Sequence, residues 1–173
     1  MDKRVKDIIN KSGSVVFFGG AGVSTESNIP DFRSEKGLYS AMSEYGYSPE
    51  QMLSHTFFTD KMVVFFDYYK KNLIYPDAQP NKAHLALARL EQEGKLKGVV
   101  TQNIDGLHQK AGSHKVYELH GSVLRNYCMD CGEFYDLDYI MNEANCDKGI
   151  PKCSRCGGVV KPDVVLYEEG LDE

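Results

Sequence analysis

Two apolar strands, each running directly into a polar loop, constrain this chain more than any other feature of its sequence. Val15-Val16-Phe17-Phe18 leads into Gly19-Gly20-Ala21-Gly22-Val23-Ser24-Thr25-Glu26-Ser27-Asn28-Ile29-Pro30-Asp31-Phe32-Arg33. Leu96 to Thr101 leads into Gln102-Asn103-Ile104-Asp105-Gly106-Leu107-His108. Short continuous apolar runs bounded by glycine read as strands buried on both faces, the habit of a parallel sheet. Ligands of such sheets lie beyond the carboxyl ends of the strands, where both loops stand. Glycines there allow a sharp turn and a close approach of backbone to ligand. Gly20-x-Gly22 leaves two readings open, a nucleotide site or an ordinary tight turn, because Thr25 stands where the third glycine of a dinucleotide fingerprint would be.

The segments between these strands read as helices. Val5, Ile8 and Ile9 have helical spacing among charges, which predicts a short helix from Lys3 to Lys11 stopped by Gly13. Ser48-Pro49-Glu50 has the chemistry of a helix start. Phe57 to Tyr75 is rich in aromatic residues, which predicts a helix packed over a core rather than a substrate groove. Asn81 caps a predicted helix from Lys82 to Glu93 with Leu85, Leu87, Ala88 and Leu90 turned inward. Val116 to Leu119 supplies a third strand ending at His120-Gly121, and strand character returns at Val164-Val165-Leu166. The alternation of strand and helix predicts an α/β fold.

With 173 residues and 42% hydrophobic content, the chain can bury a core for one domain plus a small module. A net charge of −5 provides no basic stripe for nucleic acid. No apolar run reaches membrane-spanning length and no signal-peptide pattern opens the chain, so a cytoplasmic protein is expected. In that compartment its five cysteines are metal ligands or free thiols rather than a disulfide framework. Cys128-x-x-Cys131 and Cys153-x-x-Cys156 form two hooks separated by 21 residues, with a helix predicted around Asp138 to Ala144 between them. Four thiolates complete a closed tetrahedral shell that suits one structural Zn²⁺; four unrelated thiols are the other reading. Cys146 is left without a role.

Taken together, Gly20-Ala21-Gly22-Val23-Ser24, Ile29-Pro30-Asp31-Phe32-Arg33, Thr101 to His108, His120-Gly121 and the four cysteines resemble the sirtuins, NAD-dependent protein-lysine deacylases, in family order and over nearly the whole chain. The resemblance implies a Rossmann-like NAD-binding domain, residues 1–126 and 159–173, interrupted by a zinc-ribbon module, residues 127–158. It implies NAD as co-substrate and acetylated proteins or peptides as partners, with no role for nucleic acid or membrane. Carried over position by position, Ala21, Gly22, Thr25, Asp31, Phe32, Arg33, Tyr39, Gln102 and Ile104 contact NAD, and Asn103 and Asp105 line the nicotinamide pocket. His120 both touches NAD and is the catalytic base. In the implied reaction the acyl oxygen of acyl-lysine attacks the ribose carbon that carries nicotinamide, and His120 accepts a proton from a ribose hydroxyl. The acyl group ends on ADP-ribose.

The sequence also departs from the family pattern. Asn28 replaces a common glycine, which suits a left-handed residue. Tyr167-Glu168-Glu169 stands where many relatives have Phe-Gly-Glu, beside the strand that pairs with substrate peptide. Phe66-Asp67-Tyr68-Tyr69 occupies the place of the Tyr-x-x-Arg pair of succinyl-preferring members, so acetyl or longer apolar acyl groups are expected. The Gly-Thr-Ser motif and Asn-containing loop that complete the adenosine site in the family are missing, so the chain is expected to be truncated, with an uncovered apolar face. Mono-ADP-ribosyl transfer, or an inactive zinc-binding fragment acting as an interaction module, are the alternative functions.

Overall fold

The computed structural model describes residues 3–31 and 42–171. Phe32, Arg33 and Tyr39 lie outside the described residues. The predicted amino-terminal helix forms as α1, Lys3–Lys11, and β1 follows at Val15–Gly19. Three short helices come next: α2 at Pro49–Met52, α3 at His55–Asp60 and α4 at Met62–Asn72. Ser48 caps α2 through a reciprocal box with Gln51, as its Ser-Pro start predicts. The aromatic stretch is thus two helices rather than one, because Lys61 leaves helical geometry at φ −135°, ψ 43°. Helix α5, Lys82–Gln92, is capped by Asn81. Its inward side carries buried His84 and Ala88, whereas Leu85, expected inside, is exposed, about 100° around the helix from His84.

Strands β2, Leu96–Thr101, and β3, Val116–Glu118, flank the short helix α6, Leu107–Lys110. They form a three-stranded sheet in the order β1-β2-β3, with both pairings parallel. Helices α5 and α6 cover one face, where Phe17, Val99, His84 and His108 point. Among the described residues the other face is open, with Val16 and Phe18 on β1 and Tyr117 on β3 exposed.

The chain then turns at His120-Gly121 into β4, Gly121–Cys128, which pairs antiparallel with β5, Phe134–Tyr135, and with β8, Val160–Val164. Helix α7, Leu137–Met141, and a two-stranded hairpin of β6, Cys146–Asp147, and β7, Ile150–Pro151, lie between β5 and β8. This antiparallel unit shares one buried cluster with α2, α3 and α4, including Met52, Phe58, Phe65, Phe66, Tyr69, Ile140 and Val160. Phe65 meets Phe58 edge-on at 5.0 Å and Phe66 at 5.3 Å and stacks on Tyr69 at 5.7 Å. Burying each such ring stabilises the fold by roughly 2 kcal/mol, so the aromatic stretch is core, as its composition predicts.

Candidate functional site

The glycine loop after β1 folds into two single turns of 3₁₀ helix, Ala21–Val23 and Thr25–Ser27, closed by Asn28 at φ 62°, ψ 24°. Asn28 is therefore left-handed, the conformation that its replacement of glycine anticipates. Gly20 approaches the second loop closely: a Cβ there would lie 3.2 Å from Gln102 Oε1. Ser24 is buried, and its hydroxyl donates to Asp105 Oδ2 at 2.6 Å while accepting from Asn103 Nδ2 at 2.9 Å. Asn103 Nδ2 also reaches Asp105 Oδ2 at 3.3 Å. The other carboxylate oxygen, Oδ1, accepts from the backbone N–H of Leu107 at 2.9 Å, at the start of α6. Asp105 is thus held from both loops, and a short charge-assisted bond to a buried hydroxyl is among the stronger hydrogen bonds a protein makes.

Asn81 ties down the other side of the glycine loop. Its Nδ2 donates to Val23 O at 2.7 Å and to Ser27 Oγ at 3.0 Å, while its Oδ1 caps α5 at Ala83 N. Sequence reasoning finds the cap, but neither this second role of Asn81 nor the pairing of Ser24 with Asp105. Both link positions distant in the chain, and only the Ser/Asn chemistry of the motifs hints at them.

His120 ends the connection from β3 into β4. Its Nδ1 lies 3.0 Å from Gln102 O. A carbonyl can only accept, so Nδ1 carries the proton and Nε2 is left as the basic nitrogen. The backbone around it is pinned to both sheets: Leu119 N donates to Thr101 O at 2.9 Å and Val165 N to His120 O at 3.1 Å. Ala21 is half-buried, while Gly22 and Thr25 are exposed beside it, with Thr25 Oγ1 donating to Gly22 O. Ile104 is half-buried against the aromatic core, and Asp31 is half-buried at the end of the described loop. The structure therefore brings the glycine loop, the Gln102–Asp105 loop and His120 together. A cavity of about 570 Å³ adjoins the two loops at Ile29 and Asp105, and is lined also by Leu107, Lys110, Val123 and Leu124 among others. Of the expected cofactor residues it takes in Asp105.

Beneath Asp105 lie two further histidines: His84, which by sequence reads as a surface or satisfied core group, and His108, which reads as capping or orienting its loop. His84 and His108 are buried with ring centroids 4.7 Å apart. Burial pushes the His108 imidazole down to about 4, with neighbouring His84 adding to the fall and Asp105 opposing it. Burial lowers His84 as well, again against Asp105. Both rings are neutral at neutral pH, so they pack under the loop as uncharged groups.

The four cysteines of the two hooks converge. Their sulfurs all lie within 4.8 Å of one another, with Cys128–Cys156 at 3.4 Å, Cys131–Cys156 at 3.5 Å and Cys131–Cys153 at 3.6 Å. Tetrahedral zinc with Zn–S bonds near 2.3 Å requires sulfurs about 3.8 Å apart, so the donor set fits. Each hook turns through a left-handed glycine, Gly132 at φ 70° and Gly157 at φ 79°. Tyr135 Oη donates to Cys153 Sγ at 3.1 Å and accepts from Ser154 N at 2.9 Å, an outer contact that orients a ligand sulfur. With four thiolates in the shell, a bound Zn²⁺ would have no open position, and its chemistry would be to cross-link the module. Helix α7 and the β6–β7 hairpin occupy the length between the hooks. Cys146 lies outside the cluster and accepts from Lys70 Nζ at 3.3 Å.

The sequence model of the Sir2 family matches residues 20–173. An NAD-dependent protein deacetylase of Clostridium acetobutylicum is 62% identical over 169 residues, spanning 98% of this chain and 68% of the relative. Its counterpart in Clostridium tetani is 63% identical over 170 residues, with the same shares. Among solved structures, a Sir2 with a p53 peptide and NAD⁺ superposes with a TM-score of 0.85 at 37% identity, covering 99% of this chain and 67% of that one. A Sir2 bound to an acetylated peptide gives a TM-score of 0.82 at 35% identity over the same shares.

Proposed function

The chain belongs to the Sir2 family, and on that premise we propose that it is an NAD-dependent protein-lysine deacetylase, which transfers the acetyl group of acetyl-lysine to ADP-ribose and releases nicotinamide. The observation that carries this reading is the knot of Ser24, Asn103 and Asp105 beside His120, in which two loops far apart in sequence present their polar groups together. The NAD-dependent protein deacetylases among its relatives and the structural neighbours holding NAD⁺ or acetylated peptide support it.

The assigned roles follow from chemistry. His120 Nε2 takes the proton of a ribose hydroxyl, with Nδ1 anchored on Gln102 O so that the ring presents the basic nitrogen. Asp105 Oδ2 accepts from Ser24 and Asn103, while Oδ1 accepts only from Leu107 N and retains a lone pair for the carboxamide NH₂ of nicotinamide, with Asn103 alongside. Ala21, Gly22 and Thr25 provide a close backbone approach for phosphates, and Gln102, Ile104 and Asp31 complete the wall. Phe32 and Arg33 are assigned to cover the reacting ribose, and Tyr39 to contact NAD. NAD, when bound, supplies the activated ribose carbon that accepts the acyl oxygen. Cys128, Cys131, Cys153 and Cys156 hold one structural Zn²⁺.

The same reading divides the chain into an NAD-binding domain, residues 1–126 and 159–173, and a zinc module, residues 127–158. Phe66 and Tyr69 are fully buried in the aromatic core, so no cationic partner for an acidic acyl chain stands there, and acetyl or longer apolar acyl groups are preferred. Among the described residues no helix is long and apolar enough to cross a membrane, and a cytoplasmic location is proposed.

The test is incubation with NAD and an acetyl-lysine peptide, following nicotinamide and peptide mass. Nicotinamide release coupled to loss of acetyl supports the reading, and the H120A variant should lose deacetylation while keeping zinc and its melting temperature. ADP-ribose found on protein, or no turnover despite bound zinc, refutes it.

A further inference from the structure

Four side chains outside the expected site are threaded around the His120–Gly121 turn. Arg125, on β4, donates from Nη1 to Glu118 Oε2 on β3 and from Nε to Asp163 Oδ2 on β8, both at 2.7 Å. The other oxygen of Glu118 accepts from Gln109 Nε2 at 2.8 Å, on the helix that Asp105 starts. The Glu118 side chain is 8% exposed, against 38% for Arg125 and 36% for Asp163. The Glu118 half of the network is therefore the better shielded from solvent and salt.

The placement of these bonds matters more than their number. Strand β3 belongs to the parallel sheet, and β4 and β8 belong to the antiparallel one. His120 sits where one sheet passes into the other, and its ring orientation depends on Gln102 O, at the end of β2. Glu118 lies two residues before His120, and Asp163 pairs in register with Ser122, two residues after it. Gly121 is in left-handed geometry at φ 74°, so close to β8 that a Cβ would fall 1.9 Å from Asp163 O. A shift of β8 relative to β3 would therefore act directly on the turn that carries His120.

We propose that Arg125 is a positioning residue for His120: by holding Glu118 and Asp163 at once, it fixes the two sheets against each other at the catalytic turn. The proposal rests on the reading of His120 as the base. The guanidinium suits the task because its planar fork can serve two carboxylates simultaneously, whereas an ammonium is a single point of charge on a flexible stem. The expected NAD-binding loop is held separately, by Asn81 and Ser24. Loss of Arg125 should thus disturb the orientation of His120 and change cofactor affinity little, since the other expected NAD contacts come from the separately held loops.

The experiment is steady-state kinetics of the chain with NAD and an acetyl-lysine peptide. R125A is expected to lower kcat about tenfold or more, with KM for NAD within about twofold of wild type, and R125K to fall between the two. Unchanged kcat in R125A, or kcat and KM for NAD moving together, overturns the proposal. If R125A does not fold, the same division is read in R125K, which keeps the cation. A wild-type chain without turnover would sink the deacetylase reading rather than this one. In that case the ring-nitrogen signals of His120, assigned in histidine-labelled protein by their loss in H120A, must shift in R125A or R125K, and unmoved signals overturn the clamp.

Discussion

Replacing Gly121 by alanine tests whether the junction between the sheets depends on bare backbone. Gly121 has φ 74°, and a Cβ added there would lie 1.9 Å from Asp163 O and 2.8 Å from Asp163 C. Real Cβ atoms essentially never come within 3.0 Å of such neighbours, so β8 would have to retreat by about 1 Å at Asp163. The obstacle is backbone and cannot be relieved by a side-chain rotation. Gly94 is the control, with φ 75° after α5 and nothing within 4 Å of its would-be Cβ. G94A carries only the left-handed penalty, about 1–2 kcal/mol, which lowers the melting temperature by roughly 2–8 °C in a chain of this size. G121A carries the same penalty plus displacement of β8 from β4, and we expect a loss above about 3 kcal/mol, or roughly 10 °C. Displacement near His120 should also cut nicotinamide release by around a hundredfold. Differential scanning calorimetry of both variants, with the deacetylation assay alongside, makes the comparison. If G121A melts with G94A and turns over normally, the close approach to Asp163 does not govern the turn.

Two further outcomes follow from the zinc cluster and the buried histidines. Metal analysis should find one zinc per chain, and a strong chelator should abolish the cooperative melt, because the module between Cys128 and Cys156 shares its buried core with α3 and α4; a chain that melts unchanged after zinc removal refutes the structural role. His108 is held down to about 4 in the folded chain, mainly by burial, against about 6.5 when unfolded. Between those values the unfolded state binds more protons, so stability is fully present above about pH 6.5 and falls as the pH drops towards 4. Urea unfolding of wild type and H108Q across this range should show a shallower decline in the variant, and parallel curves would exclude His108 as a source of the slope.

Much of the architecture was legible because it is written in local chemistry. The strand–loop rhythm of Val15–Phe18 and Leu96–Thr101 needs only short-range periodicity, and Ser48 and Asn81 act on helix ends within three residues. The cysteine hooks likewise declare a metal shell through spacing alone. Less was legible where a residue's surroundings come from elsewhere in the chain. Leu85 has the composition of a core residue but lies on the exposed side of α5, and His84, polar by composition, takes the buried side. Lys61 divides the aromatic stretch into two helices without a proline or glycine to mark the break.

For this protein the order of the motifs determined the family, the α/β class and the candidate ligands, because each motif is a short run whose chemistry survives without neighbours. Only the tertiary structure decided that Ser24 holds Asp105 across 81 residues of chain, that Asn81 grips the glycine loop while capping its own helix, and that Arg125 spans two sheets beside His120. Those contacts pair groups whose distance in sequence carries no information about their distance in space. A hydrogen bond acts over about 3 Å, and only the packed sheets and helices bring such partners within that reach.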